Sequence, residues 1–107
     1  MDAVVRWEEA LRDSGVDDAG IAQRRGVLDE FCAFTGLDAG EVVESCVDRE
    51  KGRIVARGRK QIEDLIDEFA AAGTGGDTRA STQRANTVRS FLIHNGVRVL
   101  APKAPWL

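Results

Sequence analysis

Thr82, Gln83, Asn86, Thr87 and Ser90 stand close together in the last third of the chain. Gln and Asn carry an acceptor and a donor on one planar amide, and Ser and Thr carry a hydroxyl. These are the groups that hydrogen-bond base edges and phosphates. At 100° per residue Gln83, Asn86, Thr87 and Ser90 share one side of a helix, with Thr82 beside them and no acid among them. Solvated helix faces usually carry Glu and Lys. Two readings of this face stand side by side: a contact surface for an anionic, base-bearing partner, and an ordinary polar exterior.

Other chemistry finds few residues to work with. Cys32 and Cys46 lie fourteen apart and His94 is the only histidine, so neither a zinc site nor a redox motif is indicated. Both thiols fall on apolar helix faces and read as buried and inert. The chain has no tyrosine, no Ser/His/Asp constellation and no acidic pair that stands out from solvated faces. Gly73-Thr74-Gly75-Gly76-Asp77 lacks the spacing of a nucleotide-binding loop and reads as a flexible link. No cofactor or metal is expected.

The polar face needs a helix to hold it. Ser81 is a good N-cap and Asn95-Gly96 a good stop, so the pattern predicts a helix over 82–95. Its inner side would carry Ala85, Val88, Phe91, Leu92 and Asn95. Ahead of it the periodicity predicts helices near 3–14, 18–35, 39–47 and 50–72, with no sheet beyond an incidental pairing of 97–100. Val4, Trp7 and Leu11 face inward on the first, and Trp7 reads as core. On the second, Ile21, Leu28, Phe31, Cys32 and Thr35 face inward. Arg24 falls among them, either paired with Asp17 or Asp18 or laying its stem along the core to reach a phosphate. Asp38 and Glu41 form a capping box for the third. The fourth is the longest, its stripe running from Ile54 and Val55 through Gly58 to Phe69. Its bases precede its acids, which opposes the helix dipole. That order suits either an anionic partner or a pairing with the acidic first half of the chain.

At 107 residues and 43% hydrophobic, the chain is large enough for one domain with one core. Residues 1–48 carry twelve acids and four bases, whereas from Thr78 onward there are five bases and no acid. This asymmetry points to one anion-seeking side within an overall charge of −3. No signal region or membrane span is apparent, and a cytoplasmic protein is expected.

The segment from Ala80-Ser81-Thr82 through Thr87-Val88-Arg89-Ser90-Phe91-Leu92 to Asn95-Gly96-Val97 resembles the last helix of the core-binding domain of tyrosine recombinases. This is the SAM-like N-terminal domain of phage-type integrases. The family often shows Thr, Tyr, Leu and Phe in series on its second helix. Here the series is Gly20, Arg24, Leu28 and Phe31, so the apolar half matches and the hydroxyl half does not.

The resemblance implies an all-α bundle of four main helices plus one short helix. Residues 1–101 would be the SAM-like core-binding domain and 102–107 the start of a linker or C-terminal tail. It further implies binding of double-stranded DNA in site-specific recombination or integration, alongside other recombinase subunits or a catalytic domain. Candidate DNA contacts are Thr82, Gln83, Asn86 and Ser90 to bases or phosphates, and Arg84, Arg89, Arg57 and Lys60 to phosphates. The family's nucleophile is a tyrosine in a second domain, so no enzyme activity is expected of this chain. The alternative is a SAM-type helical protein-interaction module that uses its acidic half and ignores DNA.

Overall fold

Among the described residues, four of five helices open on an aspartate that takes up loose backbone amides. The computed structural model describes residues 2–48, 53–72 and 76–97. Helix α1 spans Ala3–Asp13, and the Asp2 carboxylate accepts from Val4 N at 2.7 Å. Helix α2 spans Asp18–Thr35, capped by Asp17 and closed by Gly36, whose φ of 77° suits glycine. Helix α3 spans Ala39–Cys46 and carries the expected capping box. Glu41 N donates to Asp38 Oδ1 at 2.8 Å, and Asp38 N to Glu41 Oε1 at 3.1 Å. Helix α4 spans Ala56–Ala72 and helix α5 spans Thr78–His94.

Helix α5 starts four residues before the expected position. Its cap is Asp77, which accepts from Arg79 N at 3.0 Å and Ala80 N at 3.1 Å. Ser81 lies within the helix, its own N–H bonded to Asp77 O at 3.0 Å. A carboxylate holding two amides outcompetes a later hydroxyl, and nothing in Thr78-Arg79-Ala80 resists helix. Asp77→Ala should therefore cost about 1 kcal/mol of stability, whereas Ser81→Ala should stay within about 0.5 kcal/mol. Urea unfolding of the two variants checks this; equal costs would contradict the Asp77 cap.

Helix α4 is shorter than expected. Arg53–Ile54 (β2) pairs antiparallel with Val47–Asp48 (β1), in the register Val47↔Ile54 and Asp48↔Arg53. Val47, Ile54 and Val55 are β-branched and suit extended backbone. Val55 N donates to Cys46 O at 2.8 Å, closing α3 with an amide the longer helix would have used. Among the described residues α2 with 18, not α4 with 17, is the longest helix. Residues 50–52 of the expected helix, and 98–100 of the expected pairing, lie outside the described residues. So does the proposed tail, 102–107.

The fold is all-α: among the described residues there are four main helices and one short one, with the two-residue ribbon between α3 and α4. Helix α5 lies against α1, α2 and α4. It presents Ala85, Val88, Phe91 and Leu92 to a core that includes Trp7, Leu28, Phe31, Ile62 and Ile66. Trp7 is fully buried with its ring 5.5 Å from that of Phe91, and Phe31 meets Phe69 edge-on at 5.3 Å. Beyond α5, Gly96 turns the chain with a φ of 82°, and Val97 is buried. Asn95 is buried too, and fastens the end of α5 to α1. Its Nδ2 donates to Ala3 O at 3.1 Å and Phe91 O at 2.9 Å, while Oδ1 accepts from Arg6 at 3.3 Å. Gly58 lets α4 approach α3, since a Cβ there would overlap the Ser45 carbonyl oxygen. Cys46 is buried, and desolvation pushes its thiol up to about 11. Cys32 is only half-buried, not fully as expected, and its thiol is also raised, mainly by desolvation.

Candidate nucleic-acid interface

The polar side of α5 does not stand alone in solvent. It forms one wall of a groove of about 690 Å³ whose other wall is α2. Gln23, Arg24 and Val27 line it from α2, and Ala80, Gln83, Arg84, Asn86, Thr87 and Ser90 from α5. Among the described residues, no carboxylate lines the groove. Of the eight expected contact residues it gathers Gln83, Arg84, Asn86 and Ser90. Thr82 and Arg89 lie on the α4 side of α5, in a smaller depression with Asp67 and Ser81. Arg57 and Lys60 line neither; they sit in the first turns of α4.

The side chains differ in what they have left to offer. Gln83 is exposed and makes no side-chain hydrogen bond among the described residues, so its amide is available to a partner. Asn86 is half-buried. The Thr87 hydroxyl donates to Gln83 O at 2.9 Å, and the Thr82 hydroxyl to Thr78 O at 2.8 Å. Both protons are thus used within the helix, leaving oxygens that accept but cannot donate to a phosphate. Ser90 Oγ accepts from the buried Trp7 Nε1 at 3.2 Å and lies 3.4 Å from His94 Nδ1. The groove floor is therefore pinned to the core through Trp7.

Two of the three arginines of α5, Arg84 and Arg89, are engaged, which the residue pattern did not foresee. Arg84 is stacked over the Phe69 ring at 4.1 Å and paired with Glu30 of α2 at 3.1 Å. Arg89 is paired with Asp67 of α4 at 3.2 Å. Lys60 is well exposed and pairs with Asp64 at 3.6 Å, as the i,i+4 spacing predicts. Arg57 is exposed and forms no ion pair among the described residues.

Arg24 takes neither acid expected of it. Its Nη1 donates to Gly20 O at 3.0 Å. Asp17 is spent on the α2 cap, and Asp18 faces Arg12 at 3.9 Å. The charge of Arg24 thus reaches the groove without a carboxylate on it among the described residues. Gln23 is the polar groove residue that sequence reasoning passed over. Its only signal was its place four residues before Val27 on the flank of the inner stripe.

Compared with protein-family models, curated proteins and solved structures, the chain matches none. What the surface does must be read from its own chemistry. Gln83 and Asn86 of α5 and Gln23 and Arg24 of α2 line an open groove with no acid among its described lining residues, although the Asn86 Oδ1 is buried. Such a set can hydrogen-bond planar base edges and tolerate a phosphate nearby. Among the described residues there is no group of His, Cys, Asp or Glu able to hold a metal ion. No described helix is long and apolar enough to cross a membrane.

Proposed function

We propose that this chain binds double-stranded DNA through α5 and the groove beside it. It would act in the manner of a tyrosine-recombinase core-binding domain, holding DNA for site-specific recombination or integration. The observation that carries this reading is the groove lining: Gln23, Gln83, Asn86 and Arg24 together, with no carboxylate among the described residues. Catalysis is assigned elsewhere, to a catalytic domain or other subunits, because the chain has no tyrosine to serve as the family's nucleophile. A cytoplasmic setting goes with this role.

In this reading Gln83 and Asn86 read bases, while Arg57 and Lys60 extend the interface to phosphates along α4. Arg84 and Arg89 contribute less than their number suggests, being paired already. Gln83→Ala or Asn86→Ala should cost about 1–3 kcal/mol on a duplex enriched from a random pool, and little on random DNA. Arg57→Ala or Lys60→Ala should weaken all sequences alike and lower the salt slope by about one for each phosphate no longer neutralised. Affinities of the four variants at two salt concentrations check both halves. Absence of any salt-sensitive DNA binding by the wild type would end this reading.

The second reading, a SAM-type protein-interaction module, has one observation behind it. The pairing of Arg84 and Arg89 with Glu30 and Asp67 leaves the basic side of a chain of net charge −3 weakly positive. That module would hold a protein partner through its acidic half, with no response to Gln83→Ala.

A further inference from the structure

Helix α5 carries three bases, Arg79, Arg84 and Arg89, and no acid. Two of the three are met by carboxylates from the helices on either side. Glu30 reaches from α2 to Arg84 at 3.1 Å, and Asp67 from α4 to Arg89 at 3.2 Å. The two partners in each pair are placed very differently. The arginine side chains are only 23% and 13% exposed, whereas Glu30 and Asp67 are 61% and 70% exposed. Arg84 has other anchors besides its carboxylate, the stack on Phe69 at 4.1 Å and a bond to Phe69 O at 3.5 Å. In each pair the carboxylate is the solvent-facing partner. Glu30 and Asp67 cancel positive charge on both flanks of the polar face, one beside the groove and one beside the smaller depression.

We propose that Glu30 and Asp67 are a charge brake on the DNA-binding face: they hold down its attraction for phosphate, so that non-cognate DNA is held weakly. This rests on the DNA reading above. An unbraked α5 would carry its full positive charge toward any duplex, and that attraction is blind to sequence. With the brake in place, hydrogen bonds from Gln83 and Asn86 carry a larger share of what binding remains. Higher affinity is then one charge removal away at either position.

The test measures binding of a fluorescent random-sequence duplex, and of an enriched one, to wild type, Glu30→Gln and Asp67→Asn. Glu44→Gln on α3 serves as the control, because it makes the same change in net charge on an element that does not flank the groove. At about 50 mM salt each brake variant should bind both duplexes roughly two- to fivefold more tightly. The gain should shrink as salt is raised to about 200 mM. Glu44→Gln should change little, and melting midpoints should stay within a few degrees of wild type.

Unchanged or weaker binding by Glu30→Gln and Asp67→Asn would overturn the brake while leaving the DNA reading in place. So would an equal gain from Glu44→Gln, which would make the effect one of net charge alone. A large drop in melting midpoint would make these carboxylates structural clamps and overturn it too. If wild type and all variants fail to bind DNA with any salt dependence, the DNA reading fails and the brake with it.

Discussion

Gly58→Ala should destabilise the protein by about 3 kcal/mol or more, an overpacking cost at the top of the usual range. The reason is where α4 lies against α3. A Cβ on Gly58 would overlap the Ser45 carbonyl oxygen and come within 2.9 Å of the Ser45 carbonyl carbon. Both are backbone atoms, and no rotamer change can move them aside. Relief requires α3 and α4 to separate, which would loosen Val42, Val43 and Cys46 in the core and the Val55 N–H bond to Cys46 O. At about 4–8 °C per kcal/mol for a domain of this size, the melting midpoint should fall by more than about 10 °C. Gly26→Ala makes the matched control. Gly26 is exposed within α2 and nothing lies within 4 Å of its Cβ position. There the better helix former should add about 0.5–1 kcal/mol. Urea unfolding followed by circular dichroism measures both, and a Gly58→Ala protein as stable as wild type would contradict the close approach of α3 and α4.

Trp7→Ala should cost about 3–5 kcal/mol, the range for emptying a buried aromatic site. Trp7 is the largest of the fully buried side chains and bridges α1 to Phe91 of α5. A domain of this size commonly has only about 5–15 kcal/mol of stability in total, so this one loss threatens folding at 37 °C. Trp7→Phe separates packing from hydrogen bonding. It keeps an aromatic ring but removes the indole N–H that Ser90 Oγ accepts at 3.2 Å. It should cost less than Trp7→Ala, yet it should still disturb the groove floor, visible as shifted backbone amide resonances around Ser90 and His94. If those resonances stay in place, Trp7 does not position the polar face.

Much of the fold was legible because it is written in local chemistry. Asp38 and Glu41 three residues apart announce a capping box, and the box forms because both bonds close within one turn. Gly36 and Gly96 mark helix ends for an equally local reason, the positive φ that each adopts. The inner stripe of α5, from Ala85 to Asn95, follows from periodicity alone. Local signals fail where two of them compete. Asp77 and Ser81 are both acceptable caps, and short-range pattern cannot rank a carboxylate behind a glycine-rich stretch against a hydroxyl at the first apolar turn. Ile54 and Val55 fit helical spacing as well as extended backbone. Only the bond from Val55 to the end of α3 decides between them.

The candidate site divides along the same line. By itself the sequence determined an all-α chain and placed Gln83, Asn86 and Ser90 on one side of a helix with no acid on it, because residues on one helix keep a fixed angular relation. It also shows that the chain contains no tyrosine. Whatever depends on a neighbouring helix was decided by the tertiary structure. That includes the groove wall supplied by Gln23 and Arg24, and the capture of Arg84 by Glu30 and of Arg89 by Asp67. It also includes the Trp7 bond that occupies Ser90, and the carbonyl that makes Gly58 irreplaceable. The hydrogen-bonded partners among these stand 22 to 83 positions apart in the chain, far beyond the reach of any local pattern. Periodicity tells which way a side chain faces, but packing alone chooses what it meets there.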